Sequence, residues 1–215
     1  MTEPDVTLTD YGLAIACAVF VVLLYRKATV QPRLRTWFAL LFSSIGVAAL
    51  ASGTVHGFFL DARTTGYAVL WPATMLALGG AALSTWGLGA RIQFPLRLAH
   101  LITLCATLVF AVYCALVLFV TQSFSLAIGH YLPGVVFLMV VFSLAYQGTR
   151  ARPVCLALVG LLLTLVASGL QQGWVGFHPI YFNHNALHHL LEAAALYLIF
   201  RGAGWFQAVP NPREE

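Results

Sequence analysis

Two histidines four residues apart, His184 and His188, stand in the run Asn183-His184-Asn185-Ala186-Leu187-His188-His189, inside a stretch apolar enough for lipid. On a helix they share one face about one turn apart, a geometry that lets two imidazoles hold one metal ion. A third histidine, His56, has Ser52 four residues before it, and Asp61 follows it by five. Ionisable groups are costly within a membrane span and mark function there by default. Three histidines would give zinc three neutral nitrogens and leave a fourth position for water. That water ionises near neutral pH and attacks an acyl carbon while the metal polarises the carbonyl. Asp61 is the carboxylate assigned to take and return the proton. Ser52, one turn before His56, would hydrogen-bond a developing oxyanion or orient the site. Five residues of continuous helix turn about 500°, so Asp61 reaches the site only where the helix ends or bends near Gly57, or through the loop.

These residues act together only if the chain brings them to one depth. Of its 215 residues, 60% are hydrophobic and 8% charged, and the mean hydropathy is +0.87. A soluble domain carries about 25% charged residues. The expected fold is therefore all-α: a polytopic membrane protein with a seven-transmembrane-helix bundle. The apolar runs cover Tyr11 to Tyr25, Trp37 to Leu60, Gly66 to Ala90, Leu96 to Val120, Ser125 to Tyr146, Pro153 to Gln171 and Phe182 to Phe200. They imply a short N-terminal tail over residues 1–10, a membrane domain over 11–203 and a C-terminal tail over 204–215. Pro72 and Pro133 fall near span starts on these boundaries, where proline is tolerated.

Orientation follows from Lys and Arg. Arg26, Lys27, Arg33, Arg35, Arg91, Arg97, Arg150, Arg152, Arg201 and Arg213 fall on one side, and Arg63 alone on the other. The N-terminus is expected outside and the C-terminus in the cytoplasm, with a bacterial inner membrane as the location. Glu3, Asp5 and Asp10 precede the first run with no basic residue, which argues for a retained helix over a signal peptide. The net charge of +4 reflects loop asymmetry and not a nucleic-acid footprint. On this topology His56 near the end of helix two, and His184 and His188 near the start of helix seven, reach the same outer depth.

Other residues read more plainly. Glu192 continues the His184/His188 face one turn deeper, where it would fix an imidazole tautomer or balance charge. His189 points about 100° away from His188 and reads as packed or interfacial. His130 and His178, both on the outer side, are candidates for the substrate entrance or are interfacial histidines. Cys17, Cys105, Cys114 and Cys155 form no CxxC pair and read as packing residues.

The pattern Ser52-x3-His56 with His184-x3-His188, on the second and seventh of seven spans, resembles the alkaline ceramidase and adiponectin-receptor superfamily of seven-helix membrane proteins. The resemblance implies zinc held by His56, His184 and His188, with Asp61 and Ser52 as catalytic groups and a membrane lipid as substrate. The outside N-terminus looks like the ceramidase branch. Asp61 departs from the pattern, lying closer to its histidine than the family aspartate does. The expected activity is zinc-dependent hydrolysis of a lipid amide or ester. The alternatives are a receptor or sensor with a structural zinc site, and a metal or proton carrier. A carrier wants polar residues through the bilayer midplane, whereas the ionisable residues here gather in the outer half apart from Glu192.

Overall fold

The computed structural model describes residues 1–178 and 181–210. Seven helices follow one another: α1 (Pro4–Arg26), α2 (Pro32–Phe58), α3 (Thr65–Gln93), α4 (Leu96–Phe119), α5 (Phe124–Thr149), α6 (Arg152–Gln172) and α7 (His184–Ala208). The first six are long and apolar enough to cross a membrane. The polar residues of α7 lower its hydropathy, but its 25 residues rise about 38 Å at 1.5 Å each, more than a hydrocarbon core of about 30 Å. The chain is an all-α membrane bundle.

The helix starts follow local chemistry. Proline opens α1 and α2 at positions where its missing N–H costs nothing. The Thr64 hydroxyl accepts from Tyr67 N–H at 3.2 Å to cap α3, and the Asn183 side chain accepts from Asn185 and Ala186 N–H to cap α7. Pro72 and Pro133 lie inside α3 and α5, deeper than the sequence boundaries place them. The helices also extend past those boundaries. Residues 4–10 belong to α1 rather than to a tail, and α7 runs on to Ala208.

Six helices form a ring in the order α1, α2, α3, α5, α6, α7, which closes on α1, while α4 packs outside it on α3. Close approach depends on small residues. A Cβ added at Gly53 of α2 would lie 2.7 Å from the Asp10 Cβ of α1, and one at Gly160 of α6 would lie 2.6 Å from the Ala195 carbonyl of α7. The half of the ring nearer the C-terminus is filled by aromatic side chains. Phe20 stacks on Phe200 at 4.9 Å, Phe142 on Phe206 at 4.9 Å, and Phe38 and Phe42 are fully buried beside them. The other half, at the N-terminal end of α1, holds a cavity.

Candidate active site

The cavity has a volume of about 250 Å³ and is lined from all six ring helices. Its α3–α5 wall is largely apolar, with Leu78, Ala127 and Ile128. The α1–α2–α7 wall carries Asp10, Ser52, His56, His188, His189 and Glu192.

His56 is fixed by the N-terminus. Thr2 N–H and Glu3 N–H donate to the carbonyls of Gly57 and His56 at 3.0 and 3.2 Å, which straps the chain start across the end of α2. The Glu3 carboxylate then accepts from His56 Nδ1. Nε2 is left as the free nitrogen, the arrangement found in metal-binding histidines with a carboxylate behind them. Asp5 belongs to the same strap: its Oδ2 accepts the N–H of Asn183, the α7 cap residue, at 3.0 Å.

His188 and His189 sit side by side on α7 with ring centroids 5.5 Å apart. The buried Nδ1 of His188 has no partner. His189 is committed on both nitrogens, with Nδ1 3.3 Å from Thr9 Oγ1 and Nε2 3.3 Å from Asp10 Oδ1. In the tautomer with its proton on Nδ1, His189 donates to Thr9, whose own hydroxyl keeps the Asp5 or Val6 carbonyl, and Nε2 faces Asp10 Oδ1. Asp10 is 1% exposed, has Ser52 as a side-chain neighbour, and leaves Oδ2 without a partner.

The structure therefore brings together Ser52, His56, His188 and Glu192 of the residues expected from sequence. The others stand apart. His184 does not line the cavity; its ring lies 4.4 Å from that of Trp174, because the α6–α7 loop folds back over the first turn of α7. Asp61 is exposed beyond the end of α2, where its Oδ1 accepts the Arg63 N–H at 2.9 Å and closes the turn into α3. It is held by that turn and does not reach the cavity. His130 lies between the α4 and α5 rings, 4.2 Å from Tyr113, and lines a separate cavity of about 470 Å³ with Trp86 and Cys105. His178 is exposed in the α6–α7 loop, bridged to Phe182, with Nδ1 accepting the Tyr181 N–H at 3.1 Å.

Asp10, Glu3 and His189 are additions that the motif spacing did not reveal. The available signal was Asp10 itself, a carboxylate adjoining an apolar run. Starting the first span at Tyr11 left it in a tail.

The donor types suit zinc. His56 has Nδ1 held by the Glu3 carboxylate, His188 has an unpartnered Nδ1, and Asp10 adds an unpaired carboxyl oxygen. Convergence is less complete: among the described residues, no group of three or more His, Cys, Asp or Glu forms a metal-holding set. The three-histidine set expected from sequence is one member short here, since His184 packs on Trp174.

No curated protein and no solved structure matches the chain. A family model described as a family of unknown function (DUF6962) matches residues 6–206, and the chain belongs to that family.

Proposed function

We propose that the protein is an integral membrane hydrolase that cleaves a lipid amide or ester, with zinc as its metal. One observation carries the reading: in an otherwise apolar bundle, Asp10, Ser52, His56 and His188 from three helices share one cavity wall. The Ser52-x3-His56 and His184-x3-His188 spacings, which resemble the ceramidase and adiponectin-receptor pattern, also support it. His56 and His188 would hold the ion, and zinc when bound supplies an ionisable water and polarises a carbonyl.

The chain's own groups do the rest. Asp10 accepts the proton of the attacking water at Oδ2, the oxygen with no other partner. His189, anchored on Thr9, shares a proton with Asp10 across 3.3 Å, so the pair stores that proton and returns it to the leaving group. Ser52 steadies the Asp10 carboxyl, and Glu3 keeps His56 in the tautomer that faces Nε2 away from the strap. The α3–α5 wall keeps bulk water away and seats the first carbons of an acyl chain. Whole drug-sized ligands occupy about 300–1,000 Å³. A cavity of about 250 Å³ thus takes the reacting head of a lipid and leaves the tail among the helices or in the bilayer. The basic helix ends would face the cytoplasm, with the cavity on the opposite side.

The test is metal analysis and lipid turnover on purified protein in a nonionic detergent. Wild type should carry stoichiometric zinc and cleave a fluorescent lipid amide or ester. His56→Ala and His188→Ala should lose metal and turnover, while Asp10→Asn keeps metal and loses turnover. Metal-free active protein, or full activity in Asp10→Asn, sinks the reading.

A further inference from the structure

Glu192 lies one turn past His188 on the same face of α7. It is 6% exposed and lines the cavity. Its Oε1 accepts the Thr164 hydroxyl at 3.3 Å, and its buried Oε2 has no partner. Protonation does not resolve this. A carboxylate oxygen lacks a donor there, and a carboxylic O–H would lack an acceptor. Among the lining residues there is no Lys or Arg, so no permanent cation stands beside the acids Asp10 and Glu192. Carboxyls inside a membrane protein are normally paired. Both acids keep one oxygen without a partner, Asp10 Oδ2 and Glu192 Oε2, but Asp10 has the His189 imidazole at Oδ1, whereas Glu192 Oε1 has the neutral Thr164 hydroxyl.

We propose that the cavity binds amphiphiles carrying a protonated primary amine, with Glu192 as the seat of the ammonium group. An ammonium brings three N–H donors and no acceptor, the complement of an unpaired carboxyl oxygen. The apolar α3–α5 wall takes the carbons next to it, which disfavours a small hydrated cation. The amine would lie about 5 Å along α7 from His188, so Glu192 selects headgroups bearing an amine a few atoms from the bond that is cut. The inference rests on this cavity being the substrate site proposed above, and on nothing in the hydrolytic step.

The experiment uses the full chain in nonionic detergent with a chelator present, so that neither zinc nor turnover contributes. Thermal unfolding is followed against increasing dodecylamine, dodecanol and dodecyltrimethylammonium, the last having the charge without N–H donors. Dodecylamine should raise Tm saturably, and the other two should not. Glu192→Gln should weaken dodecylamine binding about tenfold or more, and Glu192→Asp, which keeps the charge but withdraws it by one methylene, should weaken it less. If Glu192→Gln does not fold, the Glu192→Asp comparison decides. Equal stabilisation by amine and alcohol, no saturable shift with any of them, or unchanged binding in Glu192→Asp and Glu192→Gln overturns the proposal. Amine binding without hydrolysis of any lipid sinks only the enzymatic reading. Hydrolysis that ignores headgroup amines and is indifferent to Glu192→Gln sinks only this one.

Discussion

Asp10 and Asp61 show how environment divides two like side chains. Asp61 is solvated and spent on a turn, with its carboxylate on the Arg63 N–H. Asp10 is buried against His189 in the cavity wall, with one oxygen unpartnered. General acid–base groups contribute about 10²–10⁴-fold to rate. Asp10→Asn should therefore reduce kcat by that order, while Asp61→Asn should leave kcat within about twofold, read as lipid turnover of the two variants side by side. Equal losses would return the base to the loop. The histidines divide in the same way. His188→Ala removes an unpartnered nitrogen on a residue that lines the cavity, and His184→Ala removes a ring packed on Trp174. Zinc content should fall in the first and persist in the second. Glu3 acts through His56 without facing substrate. Loss of a group behind a metal ligand costs about 10–100-fold in metal affinity or activity, so Glu3→Gln should weaken zinc binding by that range in a competition titration. Unchanged affinity would make the Glu3–His56 contact purely structural.

Among the elements, α1 does the work that the motifs assign to others. The two residues before it strap the end of α2, its Asp5 holds the cap residue of α7, and its Asp10 enters the cavity wall. This requires α1 and α2 to touch at Gly53, where a Cβ would meet the Asp10 Cβ at 2.7 Å. Overpacking of this kind costs about 1–3 kcal/mol. Gly53→Ala should lower Tm by a few degrees and, because the helix displaced carries Asp10, reduce turnover beyond what stability explains at temperatures well below Tm. Gly160→Ala strains α6 against α7 instead. It should lower Tm with a smaller effect on turnover per degree lost. If both variants lose activity in proportion to stability alone, the α1–α2 contact has no special role in positioning the site.

Across the whole molecule, charge and aromatic packing sort to opposite ends. By helix direction, nine basic residues from Arg26 to Arg201 sit at the end where α1 finishes, and Arg63 sits at the cavity end with Glu3, Asp5 and Asp61. The stacked phenylalanines fill the bundle between the cavity and the basic end. This favours a chamber open toward one side over a path through the bilayer. With the N-terminus outside, as proposed from the loop charges, a single cysteine at Arg63 in a background lacking Cys17, Cys105, Cys114 and Cys155 should react with a membrane-impermeant maleimide in intact cells. A cysteine at Arg150 should react only after permeabilisation. The reverse pattern would invert the bundle and put the cavity on the cytoplasmic side.

Long apolar runs broken by Lys and Arg determined seven helices and which helix ends share a side, because hydrocarbon satisfies no backbone group and each segment must pair its own. The same one-dimensional pattern put His56 and His188 at one end. It could not decide which neighbours face inward. His184 shares the His188 face by spacing, yet the loop after α6 folds Trp174 over it. His189 points 100° away on a helical wheel, and the approach of α1 turns that direction into the cavity wall. Asp61 could reach the site only where α2 ends or bends near Gly57; α2 does end at Phe58, yet the turn closed on the Arg63 N–H holds Asp61 out of the cavity. Asp10 is 46 residues from His56 and shares a cavity wall with it, where Gly53 lets the two helices touch. Helical spacing fixes directions within one helix; which of those directions becomes a site depends on how the helices pack.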